Sequence, residues 1–190
     1  MTIANRLVLF LVIILTNYVC QQLAPAVGKK TPNVTTRVCY LATVIGIAYL
    51  LSGVLFWGVM QANLVYGNVV VTNLVTAALI ALVISWVLLK IMPGKSRFLT
   101  DHLTKIIFVA VPIMTVATVT QFPYDHYLLH LATATGMYML FSYALSGVRT
   151  RVEIAEIPHI LQGLPLDVVT LFLFYLSFSF LNGVFFNYLF

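Results

Sequence analysis

The chain has 190 residues, of which 62% are hydrophobic and only 8% charged, with a mean hydropathy of +1.03. Ten Lys+Arg and five Asp+Glu cannot cover that much apolar surface in water, so a soluble globular domain is excluded and an integral membrane protein is expected. The net charge of +5 is then read as basic flanks of membrane helices rather than as a nucleic-acid surface.

Apolar length and the Pro, Gly and polar punctuation between runs predict six spans, at about 5–22, 38–60, 69–91, 106–120, 127–147 and 167–189, each near the ~20 residues that cross a hydrocarbon core. Residues 1–20 have no convincing small-residue cleavage site after them, so they read as an uncleaved first helix. The following "QQLAPAVGKKTP" predicts an early helix end. Gln22, Ala24, Pro25 and Gly28 would form a shortened re-entrant turn, with Gln21 and Gln22 satisfying freed backbone groups and Lys29 and Lys30 fixing topology. Pro112 predicts a matching interruption in the fourth span.

Three loops, near 23–37, 92–105 and 148–166, share one side. They and Lys90 carry nine of the ten basic residues, leaving Arg6 opposite. The positive-inside rule therefore predicts cytoplasmic basic loops and both termini outside, in a bacterial-type inner membrane.

"LATVIGIAYLLSG" from Leu41 matches "LATATGMYMLFSY" from Leu131 in Leu, Ala, Thr, Gly, Leu and Ser at a constant offset of 90 residues. Three spans per half is an odd number, so the second half must enter from the opposite face. The expectation is a single all-α membrane domain, residues 1–93 and 94–190 forming two inverted three-helix repeats, with the first and fourth spans interrupted.

No nucleophile, acid/base pair or phosphate loop stands out, so catalysis by the chain alone is not expected. Cys20 and Cys39 form no CxxC pair and read as small hydrophobes. His126 and His130, four residues apart, could share a helix face and offer a metal two ligands, but with no third ligand nearby the preferred reading is interfacial histidines and no metal. His102 and His159 fall in predicted loops. Asp167 follows Pro165 and suits the positive end of the last helix, with an ion or proton relay as the sharper alternative. Asn17, Asn73 and Asn182 read as interhelical glue. Nine of the last twenty residues are aromatic, which lipid exposure and helix packing explain without a bound quinone or flavin.

"GVRTRVEIAEIPHILQGLPLDVVTLFLFYLSFSFLNGV" (147–184), "AVGKK" (26–30) and "IFVAVPIMT" (107–115) resemble the membrane subunits of Rnf and Nqr respiratory complexes, in particular the RnfA/NqrE type. The resemblance implies six helices in two inverted halves, pairing with a related subunit of opposite topology, and redox subunits that pass electrons while sodium or protons move. It also implies an iron–sulfur cluster shared between the paired subunits, two cysteines from each. This chain departs there. Gln22 or Ala24 stands where one cysteine is expected and Thr118 where the other is, and neither an amide, a methyl nor a protonated hydroxyl replaces a thiolate. Cys20 could supply one ligand if the helix slipped by two residues, without a partner near Thr118.

The expectation is therefore a scaffold or ion-path half without its own cluster or other cofactor, with iron or flavin confined to partner subunits. Arg149, Arg151, Glu153 and Glu156 are the candidate docking residues for a redox subunit, set against plain contact with lipid headgroups. The alternative is a stand-alone small transporter built on the same inverted-repeat fold.

Overall fold

The computed structural model describes residues 3–22, 34–62, 69–91, 101–119, 126–152 and 164–185. They form six helices: α1 (Ile3–Gln22), α2 (Val34–Gln61), α3 (Val69–Ile91), α4 (Asp101–Val119), α5 (Tyr127–Val152) and α6 (Leu164–Phe185). Apolar residues on every helix face and the near absence of charge leave intrahelical bonding as the way to satisfy the backbone in lipid. Segments of α2, α3 and α5, namely Thr36–Gln61, Val71–Ile91 and Tyr127–Val148, are long and apolar enough to cross a membrane, and the chain is membrane-embedded.

The sequence placed the helices correctly but cut several short. α4 begins at Asp101, so His102 lies in its first turn rather than in a loop. α5 runs on to Val152, so Arg149 and Arg151 ride on its last turns. Arg37, predicted in a loop, belongs to α2 and is only 7% exposed. The interruption expected at Pro112 is not seen, because α4 is continuous through it. α1 is continuous to Gln22; Ala24, Pro25 and Gly28, and with them the expected re-entrant turn, lie outside the described residues.

The centre of the bundle is the α2–α5 pair, its most extensive helix contact. Thr43 meets Tyr143 through hydroxyls 2.8 Å apart, Gly46 lies against Met139, and Gly53 lies under Leu131. Residue numbers rise on one helix as they fall on the other, so the two are antiparallel. A Cβ on Gly53 would lie 2.5 Å from both Leu131 methyls; glycine is what lets the backbones approach. α3 shows how a uniformly apolar helix still chooses a face. Asn73, Ala77, Ala81 and Ser85, every fourth residue, are buried, whereas Val71, Val75, Leu79 and Val83 are exposed. Small residues pack closely against neighbouring helices, and the branched ones remain for lipid.

The neighbour pattern has a regularity. Exchanging α1 with α4, α2 with α5 and α3 with α6 turns the α2–α3 contact into α5–α6, α3–α4 into α1–α6, and α2–α4 into α1–α5, all of which are present. The α1–α2 contact has no counterpart of similar extent between α4 and α5 among the described residues. Side-chain surroundings break the regularity too. Gly46 is tightly packed, but its partner in the sequence match, Gly136, faces open space.

Candidate functional site: a buried hydroxyl cluster

Where α2 crosses α4, four hydroxyl side chains meet in the interior. Tyr49 and Ser52 come from α2, Thr115 and Thr118 from α4, and all four are buried. A spacing of three puts each pair on one helix face. Tyr49 Oη lies 2.6 Å from Thr118 Oγ1, and Ser52 Oγ lies 2.9 Å from Thr115 Oγ1.

The protons can be assigned. Thr118 donates to the Met114 carbonyl at 2.7 Å, so its only proton is used and Tyr49 must donate to Thr118. Tyr49 keeps lone pairs to accept. The second pair is over-subscribed. Ser52 faces the Tyr49 carbonyl at 2.8 Å, Thr115 faces the Val111 carbonyl at 2.8 Å, and the two hydroxyls also face each other. Two protons serve three contacts, so one contact lacks a proton at any instant. Thr115 and Thr118 thus bond back to the carbonyls four residues earlier on α4, those of Val111 and Met114, as threonines inside helices commonly do.

A cavity of about 10 Å³ adjoins Tyr49 and Thr118, lined also by Val8, Leu9, Met114, Ala117 and Ala134. Four helices, α1, α2, α4 and α5, therefore converge on one polar point. That volume suits a single water. The cluster offers neutral oxygens: it can bond helices together or hold a water, and it is chemically unsuited to iron, which prefers thiolate.

Of the positions singled out from sequence, Thr118 alone falls in this cluster. Pro112 lies on the same helix, one to two turns earlier. Gln22 ends α1, and Cys20 lies in the same helix with its side chain outside the described set. Cys39 is a half-buried free thiol on α2. His126 is exposed and His130 half-buried at the start of α5, and among the described residues no three His, Cys, Asp or Glu side chains gather. Arg151 is exposed on the last turn of α5, while Glu153 and Glu156 lie outside the described residues. Asp167 is in the first turn of α6, as expected, and it is 1% exposed, packed inside the protein. Tyr49, Ser52 and Thr115 were not anticipated, although two hydroxyl pairs at spacing three inside apolar runs are a signal visible in the sequence.

By fold and site the chain is a helical membrane protein with a hydroxyl-bonded core. Comparison with family models, curated proteins and solved structures returns no match.

Proposed function

We propose that the chain is a membrane subunit of an ion-translocating electron-transfer complex of the Rnf/Nqr kind, acting as a scaffold or ion-path half that holds no iron–sulfur cluster of its own. The resemblance of residues 147–184, 26–30 and 107–115 carries the complex-subunit reading, and Thr118 carries the part that concerns the missing cluster. At the position where the resembled subunits bring a cysteine to the cluster, this chain has a hydroxyl already bonded to Tyr49 at 2.6 Å and to the Met114 carbonyl at 2.7 Å. The ligand position has become a helix-to-helix bond.

The arrangement as two inverted three-helix repeats belongs to the same proposal. The sequence match of Leu41–Gly53 with Leu131–Tyr143, the antiparallel α2–α5 pair and the exchange pattern of neighbouring helices support it. The same proposal includes an inner-membrane location with cytoplasmic basic ends, a related partner subunit of opposite topology, and docking of a redox subunit near Arg149, Arg151, Glu153 and Glu156; the resemblance and the charge asymmetry are what support these parts.

The test is affinity purification from native membranes in mild detergent, followed by iron, flavin and subunit analysis. The expected result is co-purifying redox subunits that carry the iron and flavin, with their content unchanged in a Thr118→Val variant. A stable monomer without redox partners, or solute uptake by vesicles containing this chain alone, would overturn the proposal in favour of a transporter.

A further inference from the structure

Among the described residues, the buried hydroxyls of serine and threonine follow one rule with two exceptions. Thr16, Ser52, Ser85, Thr115, Thr118 and Thr135 are buried, and each faces a carbonyl of its own helix at hydrogen-bond distance. Ser142 and Ser146 are just as deeply buried, yet neither Oγ has a hydrogen-bond partner. Both hydroxyls are turned away from their own backbone, an expensive choice where no bulk water can make up the loss.

Arg37 has the same deficit with a charge added. It is 7% exposed, its Nε is closed off without a hydrogen-bond partner, and it makes no ion pair among the described residues. A guanidinium stays charged and only donates, so burying this one calls for a negatively charged acceptor. Asp167 is buried too, but it belongs to α6, whose extensive helix contacts do not include α2.

The three groups lie along one seam. Thr43 stands opposite Tyr143 and Gly46 opposite Met139. Continued toward the start of α2, this antiparallel register brings Arg37 level with residues 148–149, within about one turn of Ser146. Ser142 is three residues from Met139 and Ser146 three from Tyr143, so both serines flank the face of α5 that meets α2. Arg37 shares a stripe of α2 with Leu41, Val44 and Ala48, all buried, which points it into the bundle.

What the seam lacks is an acceptor, because all three groups can donate and none is accepted. The Nε and both Oγ atoms are closed to solvent, which suits a single atom better than a carboxylate or phosphate. The further oxygens of those larger anions would need donors of their own.

We propose that Arg37, Ser142 and Ser146 form a binding site for one chloride-sized anion, bridging the start of α2 to the end of α5. A monatomic ion accepts from all three donors without a fixed direction and balances the buried guanidinium. The site stands on burial and unmet donors, independently of any electron-transfer role.

The experiment uses the purified chain in uncharged detergent, moved from gluconate to chloride at constant ionic strength, with the chloride NMR linewidth and the thermal unfolding midpoint as readouts. The expected result is saturable broadening of the chloride signal, with a midpoint above that in gluconate. Ser142→Ala or Ser146→Ala should each weaken binding roughly tenfold, as loss of one hydrogen bond to a charged group implies, and Arg37→Gln should abolish it. Ser85→Ala, at a buried hydroxyl already bonded to the Ala81 carbonyl, should leave binding unchanged. Absence of saturable broadening in the parent would overturn the proposal. That includes the case in which chloride binds only after Glu153→Gln or Glu156→Gln, since a carboxylate of the chain itself would then fill the site. Binding that both serine variants leave intact would also overturn it, because the anion would then lie elsewhere. This arm stays readable even if Arg37→Gln fails to fold.

Discussion

Tyr49 and Thr118, 69 residues apart in the chain, join hydroxyl to hydroxyl at 2.6 Å inside the helix bundle. Because Thr118 spends its proton on its own helix, the bond between helices depends on the phenol proton. The two ends of the bond are therefore unequal. Tyr49→Phe leaves Thr118 still bonded to Met114 and should cost about 0.5–1 kcal/mol. Thr118→Val strands a buried phenol and should cost about 1–3 kcal/mol. The double variant should recover part of the second loss, because no polar group is left stranded. Thermal unfolding of the three variants in detergent measures the order, and equal losses from the two single changes would show that the assigned proton direction is wrong.

The glycines of the sequence match separate by environment. Gly53→Ala drives a methyl against both Leu131 branches, 2.5 Å away in a buried position, and should cost about 1–3 kcal/mol. Gly46→Ala meets the flexible end of Met139, which can turn aside, and should cost less. Gly136→Ala meets open space and should be neutral or stabilising by up to about 1 kcal/mol. Unfolding midpoints would rank them, and a loss at Gly136 as large as at Gly53 would contradict the asymmetry between the halves.

α3 offers a face-selective test. Ala81→Leu enlarges the buried stripe and should disrupt packing, lowering stability by about 1–3 kcal/mol. Val83→Leu, two residues away on the exposed side, should be within about 0.5 kcal/mol of the parent. Similar losses at both positions would mean that Val83 packs against protein in the native membrane.

The charge asymmetry predicts sidedness. In a chain lacking Cys20 and Cys39, cysteines replacing Arg151 or Lys90 should react with an impermeant thiol reagent only after the membrane is opened to the cytoplasm. Cysteines replacing Ala62 or His126, at the opposite helix ends, should react from outside in intact cells. The reverse labelling pattern would invert the topology.

Much of the fold was legible in the sequence because crossing a bilayer imposes length and apolarity residue by residue. α3 was predicted to its terminal residues, and the other helices were off by a few residues at one or both ends. The misses have a common cause. Hydropathy counts Arg37, Arg149 and Arg151 as loop residues, yet a helix can continue past the hydrocarbon core while an arginine packs inside or reaches an interface. Pro112 was read as a break, but a proline removes only one helical bond, that to the carbonyl four residues earlier, and packing against neighbouring helices can hold a membrane helix continuous through it, as α4 is.

The sequence alone determined that the chain is a helical membrane protein and which ends of its helices are basic. Each follows from local composition. Only the tertiary structure decided that Thr118 faces Tyr49, that Asp167 and Arg37 turn inward, and that α1 and α6 leave an apolar groove between them. Uniformly apolar helices have no preferred face of their own. Which side chains meet is settled by how closely small residues such as Gly53 and Ala81 let neighbouring backbones approach.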